Sequence, residues 1–121
     1  MALLLALQVA IAEALATGMA TIAGRVQALA SRLRERLAEL PHVRLHDLGS
    51  GPRSGIVSFT VEGEAATATR ARLASQGIHV GANGVPYTPL DMQARGLDGI
   101  VRASVSPLND ESDIERLASA L

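Results

Sequence analysis

In residues 56–62, IVSFTVE, apolar and polar side chains alternate from Val57 onward. Val57, Phe59 and Val61 therefore fall on one face of an extended chain, while the polar residues between them fall on the other. This alternation predicts a β-strand with one buried and one open face. A strand of this kind needs a second layer to cover its apolar side, so it predicts a sheet packed against helices.

Residues 100–105, IVRASV, show the same alternation and predict a second strand. Val101, Ala103 and Val105 face inward, whereas Arg102 faces outward. Two shorter runs predict further strands and two glycine-rich segments predict loops: strands at 43–48 and 78–80, and loops at 49–55 and 81–84.

Helical segments separate these strands. They are predicted at 64–76, at 90–95 after Pro89, and from Asn109, as the N-cap, to the end of the chain. The predicted fold class is α+β: a small antiparallel or mixed sheet of about four strands with helices on one face, preceded by a long N-terminal helix. Arg102 then lies on the face of the sheet that these helices leave open.

The N-terminal helix is predicted over residues 2–40 and ends before Pro41. Gly18 and Gly24 are positions at which it could divide in two. At 1.5 Å per residue a forty-residue helix spans roughly 60 Å, whereas a compact chain of this size has a radius of gyration of about 14 Å. We therefore expect a second copy of the chain or another domain to cover this helix.

Residues 1–23 are apolar enough to suggest a signal peptide or a membrane span. However, no Lys or Arg precedes the apolar run, and Gln8 and Glu13 interrupt it. A buried helix of a cytoplasmic protein that does not bind a membrane is the favoured interpretation. Removal of these residues after export is the alternative.

The composition excludes several chemistries. The net charge is −1, which gives no basic field for binding nucleic acid. The chain has no Cys, so it has no thiol nucleophile, and all 11 basic residues are Arg. Without Lys, the chain by itself cannot form a covalent imine with a carbonyl cofactor.

Few residues are candidates for a functional site. His42, His46 and His79 have no Cys or clustered carboxylate to complete a metal site, so we expect no metal and solvated histidines. Arg102 differs because it lies in the middle of a strand. Its planar guanidinium suits a bidentate carboxylate, although a surface salt bridge is the alternative from composition alone.

Four segments together resemble the carboxy-terminal part of class V aminotransferases, a family of pyridoxal-phosphate (PLP) enzymes that includes cysteine desulfurases and selenocysteine lyases. They occur in the family's order and spacing. The segments are RLRERLAELPHVRLHDLG (32–49), SGIVSFTVEG (54–63), ASQGIHV (74–80) and LDMQARGLDGIVRASVSPLNDESDIERLASAL (90–121).

The resemblance implies that residues 1–40 are the helix that links two domains, and that 41–121 are the small C-terminal domain. It implies an amino-acid substrate whose α-carboxylate is held by Arg102, with Asn83 and Tyr87 in a loop at the active site. PLP and its lysine would belong to a large domain that is missing here. This chain alone would then hold no cofactor and no catalytic residue, and the complete enzyme would be a homo-oligomer.

The sequence also departs from the family pattern. Desulfurases have an arginine where this chain has Gly81, and the following stretch, 82–88, has no cysteine. A lyase, epimerase or aminotransferase type therefore fits better than a persulfide-forming desulfurase. The alternative of another class is a stand-alone α+β dimerisation or interaction module without catalytic activity, which would pair through residues 1–23.

Overall fold

A computed structural model describes residues 1–47 and 50–121. Within these ranges the chain forms five helices and four strands, which confirms the α+β class. In chain order they are α1 (Ala2–Thr17), α2 (Met19–Ala38), β1 (Val43–Leu45), β2 (Ile56–Val61), α3 (Ala66–Ser75), β3 (Gly81–Gly84), α4 (Pro89–Arg95), β4 (Gly99–Ser104) and α5 (Glu111–Ala120).

The four strands form one sheet in the order β1-β2-β4-β3, and every neighbouring pair is antiparallel. The two alternating segments are the central strands, with Val57 opposite Ala103 and Phe59 opposite Val101. Because side chains alternate along a strand, this register gathers the apolar residues of both strands on one face. Ser58 and Arg102 are paired on the other face.

The main core lies between the first face of the sheet and helices α2, α3 and α5. Phe59, Val57, Val101 and Leu73 are fully buried. The helices contribute apolar side chains at helical spacing: Leu29, Leu33 and Leu37 from α2, and Ile114 and Leu117 from α5.

The second face of the sheet is covered at one end. Ile100 points away from the main core but is only 6% exposed, and Met92 of α4 is also buried outside that core. The guanidinium of Arg95, at the end of α4, donates a 2.7 Å hydrogen bond to the carbonyl of His46, beyond β1. The short helix α4 therefore lies on this side of the sheet, with its last residue bonded beyond β1.

The third strand of the sequence prediction is wrong in its position. Residues 78–80 are not a strand, and the predicted loop 81–84 is β3, paired along its length with β4. Ile78 and Val80 pack against the core instead. Pairing with a neighbouring strand thus overrides the low β-propensity of the sequence GANG.

The long N-terminal helix is divided at Gly18, whose φ of +91° suits glycine, and Gly24 lies inside α2. The axes of α1 and α2 differ by 82°. No residue of α1 is buried, whereas α2 buries residues from Leu29 onward. Among the described residues, no single helix is long and apolar enough to cross a membrane, although this bent pair passes by length and composition together.

A buried ion pair attaches α2 to the hairpin of β1 and β2. Arg34, on α2, is only 8% exposed. Its guanidinium donates to the carboxylate of Asp47 and to the carbonyls of Ser54 and Ile56. Asp47 in turn accepts the backbone N–H of Ser58. Residues 48 and 49, in the predicted strand and loop that follow, lie outside the described residues.

The last helix has its N-cap one residue later than predicted. Asp110, not Asn109, accepts the backbone N–H groups of Ser112 and Asp113, and Asp113 reciprocates to form a capping box. Asn109 uses its amide oxygen on Ser106 instead. Since Asn and Asp cap helices about equally well, the sequence Asn-Asp does not decide between them.

Truncation of Phe59 tests whether the β2–β4 register forms the core. Phe59→Ala is expected to lower the free energy of unfolding by about 3–5 kcal/mol, because it leaves a cavity in the centre of the main core. Leu108→Ala is the control, since Leu108 is 94% exposed, and we expect a change of about 0.5 kcal/mol or less. Chemical denaturation measures both, and equal losses would contradict the register.

Candidate functional site

Arg102 lies on a central strand of the sheet, on the face away from the main core. Its neighbours across the strands are Ser58 on β2 and Gly81 on β3. The residue is half-buried, and its Nε is buried without a hydrogen-bond partner in the described part of the chain. A buried, charged donor without an acceptor is costly, so this atom indicates a place for an anion.

The other described arginines do not share this environment. Most form ion pairs or bond to carbonyls, such as Arg34 with Asp47 and Arg72 with Glu64. Arg44 and Arg70 have no partner within the described ranges, but both are exposed to water. Among the described arginines without a partner, Arg102 is thus the one with a guanidinium nitrogen that is buried away from solvent.

Asn83, predicted in a loop of the active site, lies in β3 two residues after Gly81. A Cβ built on Gly81 would lie 3.7 Å from the Cβ of Arg102 and 3.9 Å from Oδ1 of Asn83. Both side chains therefore border the same vacant position. The structure brings Asn83 and Arg102 together, with the Asn83 amide available as a second polar group.

Tyr87 is not part of this cluster. Its side chain is 72% exposed and lines a separate pocket of about 670 Å³ between the start of α3 and the segment that joins β3 to β4. Asn83 also lines this pocket, as do Thr60 and Arg70. Asn83 and Tyr87, the two residues predicted in an active-site loop, therefore share one pocket, and Arg102 does not line it.

Two histidines are less exposed than predicted. Nε2 of His46 lies 2.8 Å from Oγ1 of Thr60, and Nε2 of His42 lies 3.1 Å from the carbonyl oxygen of Leu121. Both are half-buried, and His79 is exposed. A search of the described residues finds no group of three or more His, Asp or Glu that could hold a metal ion.

The sequence analysis did not single out the role of Gly81 beside Arg102 or the burial of Arg34. The position of Gly81 beside Arg102 depends on the register between β3 and β4, which exists only in the folded chain. A signal for the burial of Arg34 was present, because Arg34 is next to Leu33 and three residues before Leu37, which places it beside the buried positions of α2. An arginine there can extend its stem over the core and pair beyond it.

The fold and site define an α+β domain with a half-buried arginine on the second face of its sheet, and this arginine has no partner in the described parts of the chain. A family model described as aminotransferase class-V matches residues 1–117. No curated protein sequence matches the chain significantly.

Several solved structures are similar to this chain. The cysteine desulfurase CsdA from Escherichia coli is 26% identical, with a TM-score of 0.72, over 83% of this chain and 24% of that one. The apo cysteine desulfurase from Thermococcus onnurineus NA1 is 30% identical, with a TM-score of 0.74, over 85% and 26%. A mutant of C-DES with glycine covalently linked to its PLP cofactor is 26% identical, with a TM-score of 0.63, over 79% and 22%.

This chain belongs to the class V aminotransferase family. It spans about a quarter of the length of the solved structures to which it is similar. The resemblance stated from the sequence is thereby confirmed at the level of family and fold.

The environment of His46 predicts a dependence of stability on pH. Burial lowers the pKa of His46 below its usual 6.5, and the nearby charges of Arg95 and Arg44 lower it further. The unfolded chain then binds more protons than the folded one near this pH, so stability falls as the pH drops through 6.5.

We therefore expect the wild type to lose more free energy of unfolding than His46→Gln when the pH is lowered from about 8 to about 5. Chemical denaturation across this range measures the difference between the two proteins, which cancels the contribution of the carboxylates. Parallel pH profiles for the two proteins would contradict the lowered pKa.

Proposed function

We propose that this chain forms the small domain of a PLP-dependent enzyme that acts on an amino acid, and that Arg102 binds the α-carboxylate of the substrate. The observation that carries the proposal is the buried Nε of Arg102, which has no partner within the described residues. Membership of the family supports it, because the relative C-DES holds glycine on its PLP cofactor.

The guanidinium suits this role for two reasons. It stays charged at every physiological pH, and its planar donors match the two oxygens of a carboxylate. Ser58 and Gly81, the residues opposite Arg102, are both small and carry no charge that would compete for the guanidinium. The side chain of Asn83 borders the same space through its Oδ1, which is a hydrogen-bond acceptor.

The complete enzyme needs groups that these 121 residues do not supply. Bound PLP provides an electron sink for chemistry at the substrate's α-carbon, and a lysine is needed to attach it. The chain contains no Lys, so we place that lysine in a large domain outside it and expect no covalently held PLP on this chain alone. In this arrangement residues 1–40 link the domains and 41–121 form the small domain.

We further propose that the complete enzyme is a cytoplasmic homo-oligomer of the lyase, epimerase or aminotransferase type. The absence of Cys from residues 82–88 supports these types over a persulfide-forming desulfurase. The apolar side chains of α1 are exposed in this chain, which supports the proposal that another part of the complete protein covers this helix.

Replacement of Arg102 tests the proposed role on the chain as it exists. With Arg102→Gln we expect the affinity for L-alanine to fall roughly tenfold or more, because a charged hydrogen bond contributes about 1.5–3 kcal/mol. Titration followed by backbone amide NMR shifts measures the affinity. Arg44→Gln is the matched control, since Arg44 is an exposed arginine on β1, separated from β4 by β2, and has no partner among the described residues.

We expect Arg44→Gln to bind L-alanine as the wild type does, and the amide shifts to centre on β3 and β4. Wild type without a saturable shift at Arg102 would contradict the proposed function. An equal loss in both variants would also contradict it, since it would indicate attraction by net charge without a specific site.

The second candidate function is a stand-alone dimerisation module. It is favoured by the apolar side chains of α1, which are exposed along its whole length: Leu3, Leu4, Leu5, Leu7, Val9, Ile11 and Leu15. A symmetric partner would cover one side of this helix. Gln8 and Glu13 are the polar interruptions, and they do not form a continuous solvent-facing stripe, so we favour burial on several sides by another domain.

Molecular mass in solution separates the two functions. We expect oligomers of several sizes that grow with concentration, and Leu7→Glu should reduce them by placing a charge on α1. Leu108→Glu is the control, since Leu108 is also an exposed leucine, at 94% against 56% for Leu7, but lies outside α1. Light scattering after size-exclusion chromatography measures the mass, and a single stable dimer that Leu7→Glu dissociates would support the module instead.

A further inference from the structure

Three described glycines lie in strands, and two of them are required by close packing of the backbone. A Cβ on Gly84 would lie 2.8 Å from the carbonyl oxygen of Asp98, and one on Gly99 would lie 3.1 Å from the carbonyl oxygen of Asn83. Since β3 and β4 pair through these residues, a side chain at either position would disturb the pairing.

Gly81, the third glycine, is not required by close packing of the backbone. It is not among the glycines with positive φ, and a Cβ there would meet its neighbours at 3.7 Å or more, which is ordinary van der Waals contact. Glycine weakens a strand because it contributes no packing and loses more conformational freedom on folding. The chain thus carries a destabilising residue where alanine would fit.

The position of Gly81 shows what the missing side chain leaves open. Gly81 is directly opposite Arg102 in the register of β3 and β4. The nearest atoms to its vacant Cβ position belong to Arg102 and Asn83, and Gly81 itself is exposed to solvent. The space beside the stem of Arg102 is therefore reachable from solution and bordered by two polar side chains.

We infer that Gly81 is a specificity-determining residue: its missing side chain leaves the space beside Arg102 that the part of an amino-acid substrate next to its carboxylate occupies. The inference rests on the proposed role of Arg102 and adds to it. A glycine within a strand is typical of a site that a ligand approaches closely. The size of the side chain at residue 81 then limits which amino acids fit, while Arg102 provides the attraction for all of them.

The consequence is a change in selectivity when residue 81 is enlarged. In Gly81→Val, acetate has little bulk beside its carboxylate and should bind nearly as well as it does to wild type. L-Leucine, whose side chain needs the space, should bind roughly tenfold or more weakly, as expected for the loss of room for one or two methyl groups. Gly81→Ala should fall between the wild type and Gly81→Val.

The experiment titrates acetate, L-alanine and L-leucine into the wild-type chain, Gly81→Ala, Gly81→Val and Gly24→Ala, with affinities from backbone amide NMR shifts. Gly24→Ala is the matched control, because Gly24 also has open space at its Cβ position but lies in α2. The amide spectra show whether each variant keeps the fold, and Gly81→Ala keeps the test valid if valine disturbs β3.

The expected result is a graded loss of L-leucine binding across the Gly81 variants, with acetate binding unchanged and Gly24→Ala like wild type. Equal losses for acetate and L-leucine, or no loss for either, would overturn the inference while leaving the role of Arg102 intact. If wild type shows no carboxylate-dependent shift at Arg102, the proposed function itself fails, and the two failures are thereby distinguished.

Discussion

The antiparallel pairing of β2 with β4 is the constraint on which the rest of the structure depends. Successive side chains alternate between the two faces of a strand, so a register that places Phe59 opposite Val101 inside must also place Ser58 opposite Arg102 outside. The same hydrogen bonds that form the core thus hold a charged side chain on the opposite face. On that face Arg102 is half-buried.

Much of the fold could be predicted because it depends on local periodicity. The alternation of 57–61 is a strong pattern and is found as predicted in β2. The predicted helix before Pro41 is also found, divided at Gly18. β3 was misplaced because its residues, GANG, have little preference for a strand and are held by their partner β4. The position of the helix break was also open between two glycines, and only Gly18 adopts positive φ.

The site was predictable in part. Arg102 stood out from its pattern, as a charge in the middle of a strand, and the structure adds that its Nε has no partner among the described residues. Its relation to Asn83 and Gly81 depends on which residues of two strands lie opposite each other, which no local pattern gives. The buried pair of Arg34 and Asp47 is also non-local, because it joins α2 to a residue beyond β1.

We propose above all that the guanidinium of Arg102 binds the carboxylate of an amino-acid substrate. The most direct measurement is the side-chain Nε–H signal of Arg102 in a ¹H–¹⁵N spectrum of the chain, identified by its loss in Arg102→Gln, and recorded with and without L-alanine. The account predicts a saturable downfield shift of this proton, since a carboxylate supplies the acceptor that the described residues do not. The opposite result is an Arg102 Nε–H signal that does not move at L-alanine concentrations at which the other signals of the chain have stopped shifting. This result would contradict the proposed role of Arg102.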